Sequence, residues 1–135
     1  MTMSMIDCVR TFASLADCLS GPCGGFTIAP TTCATITTGY AVSVHPEHEK
    51  IITRRVTALD LHHYVSTVRD ALALPGRVFG GWRDPDTGSI YLDVSMVTPS
   101  LAEALELALR YDQLAVYDFA TGESIPVTAP VPAAA

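Results

Sequence analysis

One β-hairpin in the second half of the chain constrains the fold most. Its two runs of alternating side chains, Arg77–Arg83 and Ser89–Val97, flank a turn at Asp84–Gly88. Pro85 presets φ for a type I turn, and Gly88 supplies the left-handed position from which the chain rejoins the ladder. The residues predicted to face the core are Ile90, Leu92, Val94 and Met96. Because hairpin strands are antiparallel, we expect an antiparallel sheet.

Helical and strand patterns alternate along the rest of the chain. Apolar residues at helical spacing predict helices over Ser4–Ser20, over 60–73 with Asp60 as its cap, and from Ser100 onward. Strands are predicted at Phe26–Ala29, Ala34–His45, Ile51–Thr57, Gln113–Phe119 and Glu123–Val127. We expect the second and third of these strands to pair with each other. The fold class is therefore α+β, two-layer, with about three helices on one face of a mostly antiparallel sheet.

Two of the helices are predicted to bury apolar stripes. The stripes are Leu61, Val65, Val68 and Leu72 in the second helix, and Leu101, Leu105, Ala108 and Leu109 in the third. His62 and His63 are neighbours in the first turn of the second helix, so they cannot both face the core. We expect His62 to point outward and His63 to flank the stripe.

Length and hydrophobicity are those of one folded domain. A chain of 135 residues that is 49% hydrophobic can bury a core of its own. We place an N-terminal helix and loop at 1–25, a single α+β domain at 26–127 and a disordered tail at 128–135. No membrane association is expected, because no run of about 18 apolar residues occurs.

Negative charge is concentrated in the C-terminal part. Residues 1–83 contain seven basic and six acidic residues, whereas residues 84–135 contain eight acidic residues and only Arg110 as a base. Direct nucleic-acid binding is not expected, because contact with the phosphate backbone needs Lys and Arg. An acidic surface could instead meet a basic partner, mimic a row of phosphates, or serve only as a solvated surface.

The cysteines indicate a compartment. They lie in the first quarter of the chain, at Cys8, Cys18, Cys23 and Cys33. No secretory signal precedes them, so we expect a cytoplasmic protein, in which disulfides are uncommon. Their spacing lacks a Cys-x-x-Cys pair. Buried thiols are favoured, and zinc binding and a disulfide stay open as alternatives.

Two clusters carry side chains of the types that bind metals, His45-Glu47-His48 and Asp84-Asp86-Asp93. The first lacks the spacing of the helical zinc motifs and is predicted to be a turn. The second lacks the remaining ligands of a calcium loop. A Cys–His or Ser–His catalytic pair stays open, because such partners meet in space and not in sequence. No cofactor, metal or catalytic residue is assigned.

Trp82 is a candidate anchor for a partner. It follows Gly80 and Gly81, which permit a bulge or a close backbone approach, and Trp is large and amphipathic. Core packing is the favoured prediction for this side chain, and a partner anchor is the alternative. If one face of the sheet is open, the aromatic residues Tyr40, Trp82, Tyr91 and Tyr117 could gather there. The candidate binding residues are Trp82, Tyr91, Glu103, Glu106 and Asp112.

Part of the chain resembles a known group of proteins. The residues that carry the resemblance are Gly80-Gly81-Trp82-Arg83-Asp84, Thr87-Gly88, Tyr91-Leu92-Asp93-Val94-Ser95, Glu103-Ala104 and Gln113-Leu114-Ala115-Val116-Tyr117-Asp118. This pattern is similar to that of small uncharacterised accessory proteins of actinobacteria and of their phages and plasmids. The resemblance implies a phage or mobile-element accessory module, and it brings no catalytic residues with it.

Our leading hypothesis is a non-enzymatic module that binds a host or phage protein through its acidic C-terminal surface. One alternative is a small metal-binding regulator or enzyme that uses Cys and His. Another is a DNA mimic that inhibits a nuclease or restriction system. A homodimer is also conceivable, because a sheet with an open face can pair with itself.

Overall fold

The computed structural model describes the backbone of residues 5–22 and 24–127, and the side chains of these residues from position 11 onward. The predicted tail at 128–135, Cys23 and the side chain of Cys8 lie outside the described residues. Within the described part, four α-helices accompany seven strands, which confirms the α+β class. The helices are α1 (Met5–Ser20), α2 (Ala58–Thr67), α3 (Arg69–Leu72) and α4 (Leu101–Arg110). The strands are β1 (Gly25–Ile28), β2 (Tyr40–Val42), β3 (Lys50–Ile52), β4 (Arg77–Arg83), β5 (Ile90–Thr98), β6 (Ala115–Asp118) and β7 (Glu123–Pro126).

All strand pairings are antiparallel, in the order β1-β4-β5-β2-β6-β7. The predicted hairpin forms β4 and β5, with Arg77 opposite Met96 and Arg83 opposite Ile90. Gly88 adopts a φ of +77°, and its N–H donates to the carbonyl oxygen of Asp84 at 2.8 Å. The turn therefore closes as its sequence predicts.

The long strand predicted at Ala34–His45 is wrong in extent. Gly39 adopts a φ of +92°, so regular β2 begins only at Tyr40. The part before Gly39 runs beside β1, where the N–H of Ile36 donates to the carbonyl oxygen of Thr27 at 2.9 Å. The chain then crosses from the β1 edge of the sheet to the far side of β5.

The predicted pairing between this strand and the one at Ile51–Thr57 is also wrong. β2 pairs with one end of β5, with Tyr40 opposite Thr98. β3 pairs with the other end, with Ile52 opposite Ile90. The two short strands therefore share one edge of β5, and a 3-10 turn at Pro46–His48 lies between them.

The helices cover one face of the sheet. The larger core cluster joins α1, α2 and α3 to the sheet and includes Phe12, Leu19, Leu61, Tyr64, Phe79, Leu92 and Val94. The smaller cluster joins α4 to β2 and β6 and consists of Val42, Val44, Ala104, Ala108 and Val116. Val42 lies opposite Met96, and Met96 points to the same side of β5 as Val94, which is two residues before it. Both clusters therefore lie on the same face of the sheet. The predicted two-layer arrangement is confirmed.

The second helix is capped by a different residue from the one predicted. Thr57 is the cap, because its side chain accepts from the N–H of Asp60, whose carboxylate in turn accepts from the N–H of Thr57. Arg54 adds two hydrogen bonds to that carboxylate, at 2.7 and 2.8 Å. The helix is also interrupted at Val68, which separates α2 from α3.

Two predictions about helix faces are wrong. His62 is the half-buried member of its pair and contacts the Phe12 ring edge-on, with centroids 5.9 Å apart, while His63 is exposed. In α4 the buried positions are Ala104 and Ala108, and Leu109 is 47% exposed. Small residues occupy the centre of the α4 contact because α4 lies close against β2 and β6.

Arg83 ties α1 to the hairpin. Its guanidinium donates to the carbonyl oxygens of Leu19 at 2.7 Å and of Gly21 at 3.0 Å. These carbonyls belong to the helix C-terminus, where no further turn satisfies them, so a cation there is favourable. The predicted end of this helix at Ser20 is confirmed.

Two of the predicted thiols fall within the described side chains. The Cys18 thiol donates to the carbonyl oxygen of Gly25 at 3.2 Å. Cys33 packs against the larger core cluster, with a φ of 58°. Both side chains are half-buried.

Candidate binding groove

The second face of the sheet carries none of the described helices. In β5, Leu92 and Val94 turn to the helices, so Tyr91, Asp93 and Ser95 turn away from them. The strand register places these residues in cross-strand rows. One row runs from Ile51 through Tyr91 and Trp82 to Gly25, and the next runs from Asp93 through Gly80 to Thr27.

A groove of about 810 Å³ follows this face from β1 to β7. Its floor is formed by the central strands. One wall is the segment Thr35–Thr37, which is held beside β1 by the bridge between Thr35 and Ile28 and by the hydrogen bond from Ile36 to Thr27. The other wall comes from the β6–β7 hairpin, where the rings of Tyr117 and Phe119 meet edge-to-face with centroids 5.0 Å apart.

Trp82 and Tyr91 form an aromatic platform on this face. Their rings stack with centroids 4.6 Å apart and an interplanar angle of 11°. Trp82 is 47% exposed and the neighbouring Ile51 is 51% exposed. Aromatic residues held by a neighbour but open to solvent are typical anchors of protein contacts, because they offer large area at low cost in side-chain entropy.

Asp93 is the charged residue of the groove. Among the described residues that line it, no other is acidic or basic. Its carboxylate lies over Gly80, where a β-carbon would be only 2.6 Å from Oδ1. The Ser95 hydroxyl donates to Oδ2 at 3.4 Å. Burial raises the pKa of the Asp93 carboxyl, and the charge of Glu49 raises it further.

The predicted binding residues fall on two opposite faces. Trp82 and Tyr91 meet on the open face, where Trp82 is 47% exposed, so the favoured prediction that Trp82 packs in the core is wrong. Glu103 and Glu106 lie on α4, across the sheet: Glu103 accepts from the Thr98 hydroxyl at 2.7 Å, and Glu106 pairs with Arg110 at 3.3 Å. These two groups therefore do not form one continuous surface.

Asp112 and Tyr40 also lie away from the open face. Asp112 is exposed just after α4, with a φ of 54°. Tyr40 turns to the helical side, where it packs against the smaller core cluster. Of the four aromatic residues predicted to gather on the open face, Tyr40 is the one that was misplaced, whereas Tyr117 lines the groove.

The pairing of Gly80 with Asp93 was missed at the sequence level. Asp93 was grouped there with Asp84 and Asp86, but Asp86 instead donates its N–H to the Asp84 carboxylate at 2.9 Å within the turn. A signal was present: counting the ladder outward from the Asp84–Gly88 turn places Gly80 directly opposite Asp93. A glycine facing a carboxylate in a central strand marks room reserved for that carboxylate.

A second cluster lies at the 3-10 turn. His45, Glu47 and His48 place potential ligand atoms within 4.8 Å of one another, and they are the only such group among the described residues. Nδ1 of His45 lies 3.2 Å from Glu47, and Nε2 of the same ring accepts from Arg77 at 3.2 Å. An acceptor at Nε2 puts the ring proton on Nδ1, facing Glu47. The turn is therefore satisfied by its own hydrogen bonds and by a neighbouring cation.

The chain was compared with protein-family models, curated proteins and solved structures, and none of them matches it. The resemblance to accessory proteins of actinobacteria and their phages thus stays a prediction. None of the described helices has the length and apolar character needed to cross a membrane.

Proposed function

We propose that this chain is a non-enzymatic protein-binding module, and that the groove on the open face receives an extended segment of its partner. The platform of Trp82 and Tyr91 is the observation that carries this proposal. Exposed aromatic residues beside a concave, helix-free face suit a partner contact better than they suit the surface of an isolated domain. A role in a phage or mobile element rests on the resemblance alone.

The shape of the groove favours an extended segment. Its lining residues come from six strands that are neighbours in the sheet, in the order β1, β4, β5, β2, β6 and β7. At a strand spacing of about 4.8 Å the groove is up to about 24 Å long, the length of roughly seven extended residues. A compact small molecule would fill only part of it.

This proposal changes which acidic residues make the contact. The hypothesis of an acidic C-terminal surface included Glu103, Glu106 and Asp112, which lie away from the groove. Asp93 belongs to the same acidic half of the chain and lies on the groove floor. The partner segment is therefore expected to be basic, and the contact to centre on Asp93 and Trp82.

Selection of short random peptides on the immobilised protein tests the proposal. We expect selected peptides to bind the wild type and to lose about tenfold in affinity on Trp82→Ala and on Tyr117→Ala. Leu59→Ala is the matched control, because Leu59 is 75% exposed on α2 and lies away from the groove. This control should bind like the wild type.

Trp82 also provides a direct signal, because it is the sole tryptophan of the chain. A peptide in the groove should change its fluorescence, and the midpoint of that change should agree with the affinity measured by calorimetry. The proposal fails if no peptide is selected, or if selected peptides bind Trp82→Ala and Tyr117→Ala as well as the wild type. It also fails if the open face pairs with a second copy, seen as a dimer that Trp82→Ala dissociates.

A further inference from the structure

We infer that Asp93 and Gly80 form a receptor for a single arginine side chain of the bound segment. The inference rests on the proposed function and adds the chemistry that the groove selects. In this inference, the Asp93 carboxylate accepts hydrogen bonds from the guanidinium. Gly80 has no side chain and so leaves the space that the carboxylate needs.

The first argument is charge. Asp93 is a desolvated carboxylate on the floor of a groove whose other described lining residues are all uncharged. Removing a carboxylate from water without a counter-charge is unfavourable. Glu49 adds negative potential from the side of β3. A positively charged group is the occupant that offsets this cost.

The two arginines of β4 are committed to other partners. Arg83, beside Trp82, donates to the carbonyl oxygens of Leu19 and Gly21 at the end of α1. Arg77, at the other end of β4, donates to His45 and to the carbonyl oxygen of Pro75. Neither lines the groove. No Lys or Arg is among the described residues that line the groove, so a ligand can supply the counter-charge.

The second argument is the character of the walls. Trp82, Tyr117 and Phe119 present aromatic rings to the same groove. A guanidinium is planar and weakly hydrated, so it can stack on an aromatic ring while its N–H groups reach a carboxylate. A lysine ammonium keeps its hydration more strongly and lacks the flat face. Arginine is thus the better fit to a carboxylate among aromatic rings.

The test uses one peptide from the selection in two forms, with arginine or with citrulline at the same position. Citrulline has nearly the same shape but no charge. We expect the arginine form to bind the wild type about tenfold or more tightly, because a charge-assisted pair with Asp93 is lost in the other form. On Asp93→Asn the two forms should bind equally.

Asp112→Asn is the matched control variant. It removes the same charge from an exposed position away from the groove, and asparagine tolerates the positive φ at that position. It should preserve the preference for arginine. Circular dichroism of Asp93→Asn shows whether the variant is folded, and the comparison of the two peptides on the wild type needs no variant at all.

The possible outcomes separate the inference from the proposed function. Equal binding of the arginine and citrulline forms, together with loss of binding on Trp82→Ala, overturns the arginine receptor and leaves the peptide groove in place. The same holds if a lysine form binds as tightly as the arginine form. If no peptide binds but methylguanidinium shifts the NMR signal of the Gly80 amide in the wild type and not in Asp93→Asn, the receptor stands and the peptide-binding function is wrong.

Discussion

Gly80 leaves the space that the Asp93 carboxylate occupies: a β-carbon at position 80 would lie 2.6 Å from Oδ1 of Asp93. The two residues face each other across β4 and β5 on the open face. A β-carbon at position 80 would force the Asp93 carboxylate to move from its present position. The glycine therefore determines where the charge lies.

A double-mutant cycle measures this dependence. We expect Gly80→Ala to lower the free energy of unfolding by about 1–3 kcal/mol, the usual cost of overpacking. In the background of Asp93→Ala the same change should be neutral or slightly stabilising, because the clash is gone and alanine is the better residue within a strand. Urea denaturation of the four proteins measures both values. An equal cost in both backgrounds would show that the two side chains do not compete.

The raised pKa of Asp93 predicts a characteristic pH dependence. A carboxyl whose folded pKa lies above its ordinary value of 3.8 holds its proton more tightly in the folded state. Its contribution is most favourable below that value and is lost as pH rises through the folded pKa. Asp93→Asn should therefore gain stability relative to the wild type as pH rises through the folded-state pKa of Asp93.

The comparison of variants is needed because other carboxylates titrate in the same window. Glu49 and Tyr64 are the titratable groups that interact electrostatically with Asp93, and both residues are still present in Asp93→Asn. Asp112→Asn serves as the reference and should follow the wild type at every pH. Urea denaturation from about pH 4 to neutral pH gives the two curves. A stability gap that is constant across this range would contradict the prediction.

The cap of α2 predicts an effect of opposite sign. Hydrogen bonds from Arg54 and from the Thr57 backbone hold the pKa of Asp60 well below its usual range. The stability that Asp60 contributes is therefore present above its ordinary pKa of 3.8 and is lost as pH falls below it. Thr57→Ala should cost about 1 kcal/mol near neutral pH, while Thr57→Ser keeps the hydroxyl and should cost little. Thermal unfolding of the two variants is the measurement. A loss of stability in Thr57→Ala but not in Thr57→Ser shows that the hydroxyl caps the helix, whereas equal losses would show that Thr57 only fills space.

The cluster of His45, Glu47 and His48 predicts weak metal binding. A metal at Nδ1 of His45 would have to displace the proton there, and the positively charged guanidinium of Arg77 donates to Nε2 of the same ring. We expect calorimetry with zinc chloride to show no tight site in the wild type. Arg77→Ala should bind zinc about tenfold more tightly, and adding His48→Ala should abolish that gain. Stoichiometric zinc in the purified wild type would instead support the metal-binding alternative.

The sequence predicted the β4–β5 hairpin because all of its determinants are local. Alternation in the second strand shows which residues face the core, and Pro85 and Gly88 fix the turn between the strands. The same alternation runs through Ala34–His45, but there it could not reveal that the chain changes partner at Gly39. Strand partners depend on residues far away in the sequence, so local patterns cannot determine them.

The helix faces show the same limit. The apolar period of α4 is clear, yet it favoured the large Leu109 over the small Ala104 for the core. The close approach of α4 to the sheet decides that choice, and it depends on residues of β2 and β6 as well as on the small residues of α4. For the groove, the sequence supplied Trp82 and Tyr91 as candidates, but Asp93 became a candidate only once its register with Gly80 was known.

The position of β5 between three partners has a consequence for folding. β4 covers one edge of β5, while β2 and β3 divide the other edge between them. β5 thus pairs with a strand next to it in sequence, β4, and with a strand far from it in sequence, β2. We expect the amides of β5 to be among the slowest to exchange with deuterated solvent, because they open only when every neighbouring segment has detached. Fragments that end before β5 lack the strand with which β2 and β3 pair, so they cannot form the groove.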